Sequence, residues 1–172
     1  FFPQFKRFKV KKFLMFPVEV PFDKTLFRAA INSDMIHLSG GNTYYFLKHL
    51  KKSGMLKLLV EWVEAGGVLS GLSAGAIVMT PNIATAGFPS FDKDDNDEGI
   101  KNLKSMNFVN FEFFPHYKNS KRYDKELISY SETQNRPIYA CKDGDGVIVK
   151  QGELRFLGRP TCFYQGKKIN LC

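Results

Sequence analysis

The chain has 172 residues and a mass of 19.6 kDa, and its residues are 44% hydrophobic and 24% charged. These proportions are those of a globular domain with its own core, and they exclude a disordered chain or a disulfide-held miniprotein. No stretch approaches the roughly 18 apolar residues that cross a bilayer, and no signal-peptide pattern is present, so we expect a soluble protein with no membrane partner. The three cysteines, Cys141, Cys162 and Cys172, cannot all pair and match neither a zinc nor a CxxC spacing, which favours a reducing cytoplasm.

The net charge of +8 raises the question of nucleic-acid binding. Five of the positive charges stand within the first twelve residues, at Lys6, Arg7, Lys9, Lys11 and Lys12. Basic and aromatic residues do not interleave there in a recognised nucleic-acid-binding signature. We therefore expect a solvated basic edge and no nucleic-acid partner.

The first half of the chain alternates short apolar runs with amphipathic segments. A strand is predicted over residues 10–18, ended by Pro17 and Pro21, and Asp23 is placed to cap a short helix. The patterns that follow predict a strand over 34–39, helices over 43–54 and 55–65, a strand over 67–71 and a helix over 72–79.

The second half continues the alternation. It is predicted to contain a polar surface loop over 88–102, a strand over 108–115, a helix over 122–132, a strand over 137–141, a turn over 143–146, and a hairpin of strands 147–150 and 154–157. Strands that alternate with helices predict an α/β sheet covered on both faces. We find no internal repeat and no linker, so residues 1–172 are expected to form one domain.

The segment Gly71-Leu72-Ser73-Ala74-Gly75 fits the nucleophile-elbow pattern GxSxG, with a predicted strand before it and a predicted helix after it. Small neighbours let the serine project from a sharp turn, and the helix that begins there directs free N–H groups to the same place. The same small residues would also suit a close contact between a helix and a strand. The pattern therefore needs a second chemical group to support catalysis.

A serine hydroxyl needs a base to act as a nucleophile near neutral pH, and the chain has three histidines, His37, His49 and His116. The first lies inside a predicted strand and the second inside a predicted helix. His116 follows a strand directly, at the sheet edge where α/β folds place reactive groups. An esterase of the α/β-hydrolase type is an alternative, but its histidine follows the acid and lies near the end of a longer chain.

Three segments taken together resemble the peptidase E family of serine peptidases, which includes aspartyl dipeptidase and is related to cyanophycinase. They are Gly40-Gly41-Asn42-Thr43, Gly71-Leu72-Ser73-Ala74-Gly75-Ala76 and Pro115-His116-Tyr117, and they occur in the family's order. The resemblance extends from about residue 10 to the C-terminus. It implies a glutamine-amidotransferase-like (flavodoxin-like) three-layer α/β/α sandwich with a mostly parallel sheet.

The resemblance also implies two βα units before the predicted strand at 10–18, which the sequence lacks. The sequence begins with Phe1 and its earliest methionine is Met15, so we do not expect it to start at a translation start. The expectation is therefore a single α/β peptidase domain over residues 1–172 without those N-terminal units.

By the same resemblance Ser73 is the nucleophile and His116 is the base, and the oxyanion hole is formed by the backbone of Gly40, Gly41 and Ala74. A catalytic triad also needs an acid that hydrogen-bonds the histidine, and two carboxylates are candidates for it. Asp143 follows a predicted strand and is favoured, whereas Asp92 lies in the charged loop after the nucleophile helix and is its rival. No metal or cofactor is expected.

The resemblance implies hydrolysis of short peptides, with dipeptides that carry an N-terminal aspartate among the candidates. An acidic substrate would need a nearby cation, for which Lys118 and Arg122 are candidates, and Asn42 is a further candidate for substrate binding. A small peptide is the expected partner of a monomer or homodimer. The alternative is a non-catalytic binding or regulatory member of the same fold.

Overall fold

The structure is a computed structural model that describes residue 5, residues 8–19 and residues 23–171. The described helices are α1 (Lys24–Ile31), α2 (Thr43–Lys52), α3 (Met55–Glu64), α4 (Ala74–Ile77) and α5 (Lys121–Glu132), with a 3₁₀ turn at Ala84–Gly87. The described strands are β1 (Met35–Leu38), β2 (Val68–Gly71), β3 (Glu112–Phe114), β4 (Ile138–Ala140), β5 (Gly146–Lys150), β6 (Glu153–Leu157), β7 (Thr161–Tyr164) and β8 (Lys167–Asn170).

The described strands form three sheets in a mixed α/β arrangement. Strands β1 and β2 pair in parallel, and so do β3 and β4. Antiparallel pairing joins β4 to β7, β7 to β8, and β5 to β6. Because antiparallel pairs outnumber parallel ones among the described strands, the mostly parallel sheet expected from the sequence is not confirmed.

The first core lies around β1, β2 and the helices α2 to α4, and its elements follow the sequence patterns closely. Helix α2 begins at Thr43 because the Asn42 side chain caps it by accepting the Tyr45 N–H at 2.9 Å. Its buried residues Tyr44, Leu47 and Leu50 recur at helical spacing and pack against Met55 and Leu59 of α3. The two helices predicted over 43–54 and 55–65 are confirmed, and they pack against each other.

The second core is built from β3, β4, β7 and α5. Leu127 of α5, Ile138 of β4 and Phe163 of β7 are fully buried in it. It also contains Tyr117 and Tyr123, which both follow His116 in the sequence. This core supports the sheet edge from which His116 and Asp143 project.

The prediction of a strand over residues 10–18 is wrong, since the described residues there form no strand and belong to none of the described sheets. A strand needs a sheet to satisfy its backbone groups, and residues 11–15 are all exposed. Pro21 lies outside the described residues. The predicted cap at Asp23 is confirmed, because its carboxylate accepts the N–H groups of Thr25 and Leu26.

The other predicted elements are present with altered lengths, and two strands were missed. Helix α4 is one turn long, and β3 covers only the end of its predicted range. Strands β7 and β8 were not predicted, whereas the β5–β6 hairpin is confirmed. Cys141 and Cys162 are buried free thiols, while Cys172 lies outside the described residues. None of the helices in the described part of the chain is long and apolar enough to span a membrane.

Candidate active site

Ser73 lies on the tight turn between β2 and α4. Its backbone has φ 52° and ψ −116°, a conformation that is strained for a residue with a side chain. The Leu72 N–H donates to the Leu38 carbonyl at 3.0 Å and ties the turn to β1. The hydroxyl of Ser73 therefore projects from the sheet in the way that a nucleophile elbow requires.

The two glycines of the GxSxG segment are required by the close approach of backbone to backbone. A Cβ atom on Gly71 would overlap the backbone of Gly75. A Cβ atom on Gly75 would overlap the carbonyl of Leu38 in β1. Neither obstacle is a flexible side chain, so the turn needs glycine at both positions.

His116 stands beyond the end of β3, where its imidazole lies between Ser73 and Asp143. The distance from His116 Nε2 to Ser73 Oγ is 2.9 Å, and the distance from His116 Nδ1 to Asp143 Oδ1 is 2.6 Å. A carboxylate can only accept, so Nδ1–H donates to Asp143; in the neutral form of the imidazole, the lone pair of Nε2 then faces the serine hydroxyl. The structure thus brings together the three side chains that the sequence singles out.

The ends of two neighbouring parallel strands place the histidine and the acid at one edge of the sheet. Hydrogen bonds continue past β3 and β4, because the Cys141 N–H donates to the Phe114 carbonyl at 2.8 Å and the Tyr117 N–H donates to the Cys141 carbonyl at 2.9 Å. The site is open to solvent, with 55% of the His116 side chain and 84% of the Asp143 side chain exposed. Water therefore has access to the imidazole.

The rival carboxylate, Asp92, has a different partner. Tyr123 donates its hydroxyl to Asp92 Oδ2 at 2.5 Å, and burial together with that carboxylate raises the pKa of Tyr123 to about 12. Asp92 lines the same cleft as Ser73 and His116. Among the described residues, however, Asp143 is the carboxylate that hydrogen-bonds the imidazole.

The backbone segments expected to form an oxyanion hole lie next to Ser73. A Cβ on Gly40 would lie 3.4 Å from the Cβ of Ser73, which shows how closely this loop approaches the turn. Gly41 has φ 140°, a conformation that favours glycine. Ala74 is the first residue of α4, so its N–H has no partner within that helix.

The cleft around Ser73 has a volume of about 480 Å³. Lys118 lines it, as the sequence suggests for a substrate-binding cation. The Arg122 guanidinium instead stacks 3.5 Å from the ring centroid of Phe91. Both functional ends of the Asn42 amide are engaged, since Oδ1 caps α2 and Nδ2 donates to the Asp95 carbonyl at 2.9 Å.

The cleft residues that sequence reasoning missed include Thr43, Thr85, Lys93 and Asp94. Asp94 Oδ2 accepts the Thr43 N–H at 2.7 Å, so the charged loop is attached to the start of α2. Only the acidic composition of this loop could have indicated that attachment from the sequence. Composition does not specify which acidic residue contacts which helix. Within the described part of the chain, no group of three His, Cys, Asp or Glu side chains could hold a metal ion.

A serine in a strained turn, hydrogen-bonded to a histidine that is hydrogen-bonded to a carboxylate, is the arrangement that recurs in serine hydrolases of unrelated folds. The model of peptidase family S51 matches residues 17–157. The chain belongs to this family of serine peptidases.

Individual relatives agree with this assignment. An uncharacterized peptidase of Listeria innocua is 32% identical over 124 residues, which cover 71% of this chain and 58% of the relative. Peptidase E of Escherichia coli is 35% identical over 54 residues, covering 31% of this chain and 24% of its own length. A crystal structure of a Listeria monocytogenes protein provisionally described as a peptidase E is 27% identical with a TM-score of 0.68, covering 82% of this chain and 67% of that one. The chain thus spans 58% of the length of the Listeria innocua relative.

Proposed function

We propose that the protein hydrolyses short peptides by acyl transfer through a Ser–His–acid site. Ser73 attacks the substrate carbonyl, His116 accepts the hydroxyl proton at Nε2, and Asp143 holds the imidazole through Nδ1–H. The observation that carries the proposal is the position of His116, at 2.9 Å from the serine and 2.6 Å from the carboxylate. These distances lie within hydrogen-bond reach of both partners.

The remaining steps follow from the same groups. The backbone N–H groups of Gly40, Gly41 and Ala74 stabilise the negative charge that forms on the carbonyl oxygen. His116 then gives its proton to the leaving amine, and a peptidyl ester on Ser73 remains. Water, activated by the neutral imidazole, hydrolyses that ester and restores the serine. No metal or cofactor takes part in these steps.

Dipeptides with an N-terminal aspartate are the proposed first substrates. Lys93 and Lys118 line the cleft, and within the described part of the chain neither is in a salt bridge. Each can therefore approach a substrate carboxylate without losing a protein partner. Three aspartates, Asp92, Asp94 and Asp143, line the same cleft and oppose the binding of an anion, so the preference depends on the lysines.

We also propose the setting in which the site works. The domain is proposed to be a three-layer α/β/α sandwich of the glutamine-amidotransferase (flavodoxin-like) type with a mostly parallel sheet. It acts in the cytoplasm as a monomer or homodimer on small peptides, without nucleic acid or membrane. The TM-score of 0.68 to the Listeria monocytogenes structure supports this architecture.

The proposal is tested by supplying the full-length protein with aspartyl p-nitroanilide and, in parallel, with leucyl p-nitroanilide and p-nitrophenyl acetate. Release of p-nitroaniline from the aspartyl substrate, lost in Ser73→Ala, is the expected result. Lys118→Gln should raise KM for the aspartyl substrate several-fold, whereas Lys101→Gln, outside the cleft, should not. Cleavage of the ester alone would favour an esterase. Absence of all turnover would favour the non-catalytic alternative.

A further inference from the structure

The backbone at His116 is strained and its side chain is poorly packed. Its φ of 55° lies in the left-handed region, which is uncommon for a residue other than glycine. Because 55% of its side chain is exposed, neighbouring side chains do not enclose the imidazole and fix its position. Such strain persists only where the surrounding structure enforces it. An anchor next to His116 is therefore needed.

Tyr117, the next residue, is held on several sides. It is 2% exposed, and its ring makes edge-to-face contacts with Phe163 at 5.7 Å and Tyr123 at 6.2 Å between centroids. Its N–H donates to the Cys141 carbonyl at 2.9 Å, just before the residues that lead to Asp143. Tyr117 thus links the chain segments that carry the histidine and the acid.

The hydroxyl of Tyr117 ends in a polar cluster that joins two further elements. It donates to Asp124 Oδ1 of α5 at 2.5 Å. Lys168 of β8 donates to Asp124 Oδ2 and to Asn119 Oδ1, each at 2.7 Å. The side chains of Lys168 and Asp124 are 24% and 17% exposed, so solvent screens this ion pair only in part. Burial and the bond to Asp124 raise the pKa of Tyr117, which keeps its hydroxyl a donor.

We propose that Tyr117, Asp124 and Lys168 are positioning residues that hold the His116 imidazole between Ser73 and Asp143. The inference rests on the proposed function. Without its hydroxyl the Tyr117 ring keeps its contacts with Phe163 and Tyr123 but loses the hydrogen bond that ties it to α5, so it can shift. His116 can then relax toward an ordinary backbone conformation, and its imidazole moves off the line between the two partners. A displacement of about 1 Å in a catalytic group can lower a rate about 100-fold, so a partial loss of order is measurable.

The test compares Tyr117→Phe and Lys168→Met with Tyr130→Phe. Tyr130 is the matched control, since its hydroxyl donates at 2.7 Å to Glu112, at the opposite end of β3 from His116. We expect kcat to fall about 10-fold in the two anchor variants, with KM within twofold of wild type, and little change of kcat in the control. Lys168→Arg, which keeps the charge and the donors, should restore most of the rate.

A second measurement reads the imidazole directly. In wild type the His116 Nδ1 proton, assigned by its loss in His116→Ala, should give a downfield NMR resonance. It should weaken or move upfield in Tyr117→Phe and Lys168→Met. Unchanged His116 signals, or an equal kcat loss in Tyr130→Phe, would overturn the proposal. If Tyr117→Phe does not fold, the variant of the partly exposed Lys168 decides the matter. Failure of the proposed function would appear as a wild type without turnover, and the NMR readout would still decide the positioning role.

Discussion

Two regions of the molecule hold the candidate site in different ways. Around Ser73 the backbone is fixed by exclusion, because side chains on Gly71 or Gly75 would overlap neighbouring backbone. Around His116 the backbone is fixed by attraction, through hydrogen bonds of Tyr117 to the Cys141 carbonyl and to Asp124 of α5. Steric exclusion is all-or-none, whereas a set of hydrogen bonds can be weakened one at a time. Substitutions in the part of the molecule around Ser73 should therefore lower stability or activity abruptly. Substitutions around His116 should lower them gradually.

Gly75→Ala should have the largest effect, because the added methyl group meets the Leu38 carbonyl of β1. Overpacking of this kind lowers the free energy of unfolding by about 3 kcal/mol when the obstacle is backbone, which cannot change rotamer as a side chain can. We expect a large loss of soluble, folded protein, measured by urea unfolding and circular dichroism. Gly146→Ala is the control, since its new methyl would lie 3.9 Å from a Leu157 side-chain atom. Equal stability of the two variants would remove the steric argument for the elbow.

Ser73→Ala should leave the fold intact and lower turnover of a peptide substrate by a factor on the order of 10³ or more. Ser129→Ala, at an exposed position of α5, should keep full activity. His116→Ala should lose activity to a similar extent, and the double variant should lose little more, since the two groups act as a unit. Additive losses would show that the two side chains do not work in one step.

Asp143→Asn should lower kcat about 100-fold while KM changes little, because an amide no longer favours the imidazole tautomer and charge needed in the reaction. The expected loss is smaller than that of the serine, since water can partly replace a carboxylate that is 84% exposed. Asp92→Asn is the matched control, because its carboxylate binds the Tyr123 hydroxyl. A large loss in Asp92→Asn beside an active Asp143→Asn would transfer the role to Asp92.

The contrast between the regions also explains how much could be predicted from sequence. The strand, glycine turn and helix around Ser73 were predictable because the signal is local: apolar periodicity and glycines at fixed spacing. The choice of His116 as the candidate base followed from a general rule that α/β folds place reactive groups just beyond the ends of their strands. These predictions needed no knowledge of distant contacts.

What failed depended on partners far along the chain. Residues 10–18 have the composition of a strand, but composition cannot show whether a segment joins a sheet, and this one joins none of the described sheets. Strands β7 and β8 are short and partly charged, although Gln165 and Gly166 between them both have positive φ, as a two-residue hairpin turn requires. The bonds from Tyr123 to Asp92 and from Thr43 to Asp94 each span more than 30 positions, so no local pattern encodes them.

The smallest expected effect is a loss of folding stability at alkaline pH. It should originate mainly in the part of the molecule around His116. Burial raises the pKa of Cys141 to about 12, and burial with the Asp92 bond raises that of Tyr123 to about 12. The pKa values of Tyr117, Tyr130, Tyr139 and Cys162 are raised in the same direction, chiefly by burial. In the first core, near Ser73, burial raises the pKa of Tyr44 but lowers that of Lys51. These two groups therefore change the folding stability in opposite directions as the pH rises.

The sign follows from proton counts. Above about pH 9 the unfolded chain loses thiol and then phenol protons that the folded chain keeps, so folding stability falls as pH rises from the unfolded pKa values toward the folded ones. The urea midpoint should therefore be lower at about pH 11 than at about pH 8. Cys141→Ala should reduce this difference, whereas a substitution of the exposed Tyr45 to Phe should leave it unchanged. A midpoint that does not change between the two pH values would mean that these groups ionise as readily in the folded protein as in the unfolded chain. The part of the molecule around His116 would then be less tightly packed than its buried tyrosines indicate.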